Sequence, residues 1–241
     1  LLQINILIGT IIASFESGAI SYLYYADRVY QLPLALIGIA IGIAMLPSIS
    51  SKIKSDSFEK IQASIEQTLI YSLLFAIPAS FGVFALSEQI ITVLFERGEF
   101  DETSSLFTAK ALKFYSLGLV AFILMKIYSP IFFAYENAKP TMYITAINLV
   151  INTLLSIILF IYIGFVGIPI ATSISAWISV IFMNLYLKKY NYYQISKKII
   201  LPVVIIIIAA FIMCLYLFLL KNYLSIFLNL TQDHDIIFLL F

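Results

Sequence analysis

Ile199–Leu220, IILPVVIIIIAAFIMCLYLFLL, runs between Lys198 and Lys221 without one charged side chain. As a helix it is ~33 Å long at 1.5 Å per residue, enough to cross about 30 Å of hydrocarbon. In lipid every backbone N–H and C=O must be paired within the protein, so a spanning segment is a helix or a strand of a closed barrel. The run is too long for a barrel strand and does not alternate with period two. It is therefore expected to be a transmembrane helix.

The rest of the chain repeats the pattern. Further apolar runs are expected at roughly 1–15, 21–48, 62–86, 104–134, 141–163 and 167–187, with an eighth beginning near Ile236. Short connections separate them: Glu16–Ala19, Ser51–Lys60, Ser87–Glu102, Tyr135–Pro140, Gly164–Val166, Lys188–Lys198 and Lys221–Asp235. The expected fold is all-α, a polytopic transmembrane bundle of about seven spans. Composition agrees. Of 241 residues, 62% are hydrophobic and 11% charged, against about 25% charged in soluble domains. Too little polar surface is present for a soluble enzyme or a disordered chain, and a net charge of +1 gives no attraction to nucleic acid. Cys214 is the single cysteine, which excludes a disulfide framework or Cys-based zinc site. Residue 1 is Leu within an apolar run and Asp235–Phe241 begins a run that stops, so both ends read as cut from a longer chain.

Lysine and arginine set the expected orientation. Even-numbered connections carry Lys52, Lys54, Lys60, Lys139, Lys188, Lys189, Lys197 and Lys198. Odd-numbered ones carry Arg97 and Lys221, with Lys110 and Lys113 just inside the fourth span. The bias places even connections in the cytoplasm. The second and fourth spans exceed a bilayer's thickness and must tilt, bend or protrude. Pro33, Pro47, Pro78 and Pro130 supply bend points. Gly38 and Gly42, beside Ala40 and Ala44, suit either close helix packing or a hinge.

Charges inside a span are costly and mark candidate sites. Arg28 lies about seven residues inside the second span. Asp27 adjoins it but points about 100° away, so the two cannot simply neutralise each other on one helical face. Tyr24 and Gln31 flank Arg28 on its own face. Arg28 is thus either a snorkelling cation or a fixed one facing a watery cavity, where its planar fork suits phosphate. Lys126, deep in the fourth span, either snorkels or lines the same cavity. Asn148 and Asn152 share a face of the fifth span, with Thr172 and Ser175 on the next helix. They suit interhelical hydrogen bonding or an oxygen site for a small cation, which the lack of a carboxylate disfavours. Asp233-His234-Asp235 has no second cluster to complete a metal shell. No catalytic triad, HExxH, Walker loop or dinucleotide fingerprint occurs, so nothing supplies the nucleophile and base or the metal pair that an intramembrane enzyme needs.

Several stretches resemble the lipid II flippase family (MurJ, also MviN) of the multidrug/oligosaccharidyl-lipid/polysaccharide exporter superfamily. The most specific is Ser21-Tyr-Leu-Tyr-Tyr-Ala-Asp-Arg-Val-Tyr-Gln-Leu-Pro33, running on through Gly38-Ile-Ala-Ile-Gly42 to Leu46-Pro-Ser48. Leu94-Phe-Glu-Arg-Gly-Glu-Phe100, Thr108-Ala-Lys-Ala-Leu112, Tyr115-Ser-Leu-Gly-Leu119, Lys126-Ile-Tyr-Ser-Pro130 and Lys139-Pro-Thr141 follow in family order. The resemblance implies a two-lobed, fourteen-helix transporter of the bacterial inner membrane. Residues 1–187 would be its second six-helix lobe, 188–198 a basic cytoplasmic loop, and 199–241 helix thirteen with the start of fourteen. The first lobe would be a missing part of the same protein. The implied cargo is an undecaprenyl-pyrophosphate-linked peptidoglycan precursor, carried to the outer leaflet by alternating access. Arg28, with Asp27, Gln31 and Lys126, would line the cavity. A groove for the prenyl tail would lie between the seventh span and the eighth. No cofactor is implied beyond the sodium ion that some members bind. In this chain Asn148, Asn152 and Thr172 match that site in spacing, and Ile168 its carbonyl donor, but Gly9 stands where the family has an acid. A drug or glycan exporter of the same superfamily, or a non-transporting membrane scaffold, are the other readings.

Overall fold

The computed structural model describes residues 2–39, 49 and 58–232. Ala40, Gly42, Ala44, Pro47, Lys52, Lys54, the Asp233-His234-Asp235 loop and the span from Ile236 lie outside the described residues. Seven α-helices occupy the described residues: α1 (Leu2–Ala13), α2 (Ala19–Pro33), α3 (Phe58–Phe95), α4 (Glu102–Ala134), α5 (Lys139–Ile163), α6 (Gly167–Lys189) and α7 (Lys197–Gln232). A π-helical turn, Leu34–Ile39, continues α2, and a 3₁₀ turn, Gly164–Val166, joins α5 to α6. Four stretches are long and apolar enough to cross a membrane: Phe58–Phe95, Glu102–Ala134, Lys139–Lys189 and Lys197–Lys221. The chain is a multi-pass membrane protein.

α4 is the centre of the bundle and packs against α2, α3 and α6, while α5 lies on α6, α1 on α5, and α7 on α3. Its sequence explains the position. Ala109, Ala111, Ser116, Gly118 and Ala121 are all buried on it, and small residues let backbones approach. At Gly118 a Cβ would lie 2.8 Å from Ser173 Oγ and 3.0 Å from Ser173 Cα. Side chains bridge to carbonyls where the helices meet. Ser173 Oγ donates to the Phe114 carbonyl at 2.7 Å, Trp177 Nε1 to that of Leu117 at 2.9 Å, and Ser80 Oγ to that of Ser116 at 2.6 Å. Such bonds are worth about 0.6 kcal/mol each in a membrane. Lys110 and Lys113, charged groups near the start of α4, lie over the rings of Phe107 and Phe84 at 5.2 and 4.9 Å.

Two helices outrun their expected spans. α3 continues through Ser87–Phe95, and α7 through residues 221–232, both expected to be connections. Hydropathy marks where lipid ends, not where a helix ends. α3 stops only near Gly98, whose φ of 62° is left-handed. The two extensions are tied near their start by a Glu88–Lys221 ion pair. α3 leaves helical geometry at Leu86 (φ −106°, ψ 16°), eight residues beyond Pro78. α4 opens on a cap in which Asp101 accepts from the Ser104 amide at 2.8 Å. That bond holds the Asp101 carboxyl below the usual carboxylate range.

The α1–α2 and α5–α6 turns are latched together. Glu16 Oε2 accepts the Phe165 N–H at 2.7 Å. Gly164, at φ 67°, passes so close that a Cβ would lie 2.8 Å from the same oxygen. A glycine is needed there both for its backbone and for the room.

Candidate functional site

α2 and α4 run side by side in the same direction. Tyr22 packs on Phe107, Tyr30 stacks on Tyr115 (centroids 5.1 Å apart, 13°), and Gly38 lies against Lys126 and Ile123. The parallel register follows from their places as second and fourth spans of an alternating bundle. Tyr30 and Tyr115 are buried and fix α2 on α4. The opposite face of α2 is thereby held outward, and Arg28 is on it.

Arg28 is exposed. Its guanidinium carbon lies 4.8 Å above the Tyr24 ring, one turn earlier. The ring face holds the cation without neutralising it. No carboxylate among the described residues forms an ion pair with Arg28. Asp27 is turned instead to Gln31, whose Nε2 donates to its carboxylate. Gln31 therefore does not serve Arg28 as a flanking group. An amide N–H gains a charge-assisted bond from a carboxylate, whereas from Arg28 it could gain one only by turning its oxygen.

Arg28 lines a groove of about 580 Å³ between α2 and α3. The groove wall includes Leu32 and Pro33 of α2 with Ala79, Gly82 and Leu86 of α3. Arg28 is its one charged lining residue, so an apolar trough carries a single cation whose fork makes no hydrogen bond or ion pair among the described residues. The trough adjoins the Leu86 bend, which no sequence signal marked.

Lys126 is exposed, its stem laid across Gly38, where a Cβ would lie 3.4 Å from its Cγ. Gly38 is ten residues beyond Arg28, or ~15 Å along the helix. The two cations thus share one pair of helices but sit at different depths.

The polar cluster between α5 and α6 is assembled, and it is larger than the sequence pattern suggested. Asn148 Nδ2 donates to the Ser175 carbonyl (2.9 Å) and Ser179 Oγ (2.7 Å). Asn152 Nδ2 donates to Thr172 Oγ1 (3.3 Å) and Ser175 Oγ (3.2 Å), and its Oδ1 accepts from Ser156 Oγ (3.0 Å). Ser156 and Ser179 were missed, although each follows a cluster member by four residues. Thr172 Oγ1 donates to the Ile168 carbonyl at 2.8 Å. Gly9 stands nearby, a Cβ there lying 3.9 Å from Ile168 Cγ2. All the positions named for sodium thus converge. The donor set does not fit the ion. Both amides turn nitrogen toward α6, the Ile168 carbonyl and Asn152 Oδ1 are already accepting, and no carboxylate joins them. Among the described residues no group of three or more acidic, His or Cys side chains gathers anywhere. Sodium chloride is expected to raise the melting temperature of the complete protein no more than potassium chloride does. A rise specific to sodium would show that the cluster rearranges to take the ion.

Comparison with known proteins covers nearly the whole chain. The family described as lipid II flippase MurJ matches residues 1–231. A MurJ relative from Rickettsia prowazekii (strain Madrid E) is 36% identical over 221 residues, 92% of this chain and 44% of its own length. One from Rhizobium tropici is 39% identical over 186 residues, 76% of this chain and 35% of its own. The chain spans less than half the length of these curated relatives. A solved structure of lipid II flippase MurJ in an inward closed conformation superposes with a TM-score of 0.79 at 30% identity, covering 90% of this chain and 44% of that one. An outward-facing multidrug resistance MATE family transporter of the MOP superfamily shares the fold, at TM-score 0.70 and 16% identity.

Proposed function

We propose, because the chain belongs to the lipid II flippase MurJ family, that it forms one wall of a cavity through which a lipid-linked peptidoglycan precursor crosses the bilayer. The observation that carries the reading is Arg28, a cation exposed in an apolar groove and unpaired with any described carboxylate. A headgroup carrying two phosphates cannot enter some 30 Å of hydrocarbon unaided. A fixed guanidinium at that level offers two charge-assisted hydrogen bonds to a phosphate and gives the headgroup a station on the way. The prenyl tail stays in lipid. Asp27 and Gln31, bonded to one another, place a second polar group beside Arg28 that suits the sugar hydroxyls. Lys126, ~15 Å further along, gives the anion a second station.

The other wall is a first lobe, which would close over α2 and α4. In this reading 1–187 is the second lobe, 188–198 a cytoplasmic loop, and 199–241 the thirteenth helix and the start of the fourteenth. The membrane is the bacterial inner membrane, with the Lys-rich connections inside. Access alternates by rocking of the lobes, and the Leu86 bend beside the groove gives α3 a place to flex.

Water access to position 28 tests the cavity. In the complete protein with Cys214→Ser, an Arg28→Cys variant is expected to react with a membrane-impermeant maleimide. An Ile205→Cys variant, 56% exposed on α7, is expected not to react because it faces lipid. Equal silence at both positions would remove the cavity.

A further inference from the structure

A second cavity, of about 470 Å³, lies among α3, α4, α6 and α7, away from Arg28. Most of its wall is apolar, with Leu73, Leu124 and Val180 at the back. Its lip is apolar and outward-facing: Ile181, Leu185 and Ile200 are 57%, 56% and 55% exposed. It is therefore a crevice that opens sideways, toward lipid. Two polar side chains line it besides Tyr128. Asn184 shares a hydrogen bond with Tyr128. Tyr193 is 1% exposed, and its hydroxyl is buried with no hydrogen-bond partner among the described residues. A buried hydroxyl left unpaired is costly, so a ligand bearing an acceptor is the missing group.

Three charges stand beside the crevice, and one is negative: Glu66 of α3, which precedes Leu69 and Leu73 by three and seven residues and acts on Tyr193. On α6, Lys188 follows Ile181 and Asn184 by seven and four residues, so it stands on the crevice side beyond the lip. On α7, Lys197 precedes Ile200 and Val204 by three and seven, in the matching place. Both lysines are exposed. Apolar crevice, buried donor and two cations against the one carboxylate of Glu66 thus come together at one end of the bundle, with positive charge in excess. A glycerophospholipid has the same order of parts: acyl chain, ester carbonyl, phosphate.

We propose that this crevice binds an anionic diacyl phospholipid of the surrounding bilayer. One acyl chain fills the cavity, the Tyr193 hydroxyl donates to an ester carbonyl or phosphate oxygen, and Lys188 and Lys197 meet the phosphate. The lysines select against a zwitterionic lipid, whose own amine would compete for its phosphate. The site shares no lining residue with the Arg28 groove and stands whether or not that groove carries cargo.

Native mass spectrometry of the complete protein, titrated with phosphatidylglycerol or phosphatidylcholine, tests it. Phosphatidylglycerol is expected to bind the more tightly. Lys188→Gln and Lys197→Gln are each expected to weaken it about fivefold. Tyr193→Phe is expected to weaken it by a similar factor, about fivefold, through loss of one hydrogen bond. Ile181→Trp, at a lip position that is 57% exposed, is expected to lower occupancy by filling the entrance. Equal affinity for the two lipids, or unchanged affinity in both the lysine and Tyr193→Phe variants, would overturn the proposal. So would one-for-one displacement by undecaprenyl phosphate, which would hand the crevice to the cargo. A complete protein that retains neither phospholipid would mean that another part of the polypeptide fills it.

Discussion

Arg28→Ala is expected to abolish growth rescue of flippase-depleted cells by the complete protein, with the protein still present in the membrane at normal level. Each charge-assisted hydrogen bond from a guanidinium is worth about 1.5–3 kcal/mol. A fork that loses two of them to one phosphate weakens the anion's hold by more than about a hundredfold. The fold loses little. Arg28 is exposed, and its contact with the Tyr24 ring is worth about 0.5–1 kcal/mol at such a site. Arg28→Lys keeps the charge but not the planar fork and is expected to fall between the two. Growth on Arg28→Ala equal to wild type, at equal membrane abundance, would end the assignment of Arg28 to the cargo.

Gly118→Val is expected to do the opposite, removing the protein rather than its chemistry. The added Cβ meets a backbone atom, Ser173 Cα at 3.0 Å, which cannot swing aside as a side-chain tip can. Moving α6 away strains the bonds from Ser173 and Trp177 to the α4 carbonyls. Overpacking of this kind costs about 1–3 kcal/mol. Of a total stability of about 5–15 kcal/mol, that is a large share. Thermal unfolding in detergent should drop clearly for Gly118→Val and hardly at all for Gly9→Ala, whose nearest neighbour would be 3.9 Å away. Matching melting temperatures for the two variants would show that the α4–α6 contact is not tight.

Much of this architecture is legible in the chain because lipid imposes a simple rule on it. Runs such as Ile199–Leu220 are helices, and the described parts of the seven runs fall on α1–α7. What the rule cannot give is where a helix stops outside lipid. Ser87, Glu88, Gln89 and Thr92 end the apolar run but not α3, since none of them breaks a helix. Proline marks some departures and not others: α2 gives way to a π-helical turn at Pro33, whereas α3 leaves helical geometry at Leu86, eight residues past Pro78. At the site, Arg28 was legible because a charge within an apolar run is rare. The pairing of Gln31 with Asp27 was not, because 28 and 27 both lie within one turn of 31 and only the bond chemistry separates them. Lys126 over Gly38 and Tyr193 in its crevice join residues from different helices, and no spacing within one helix announces them.

The packing of α1 on α5 has a consequence in time. Synthesis proceeds at about 5–20 residues per second, and Lys139 follows Leu2 by enough chain that α1 waits roughly ten seconds for its main partner. The α3–α4 and α5–α6 pairs meet as soon as they are made, but α1 must be held in place through their assembly. The earliest made of these seven helices is therefore among the last to be locked. A block in synthesis before α5 would strand α1 where membrane proteases find it.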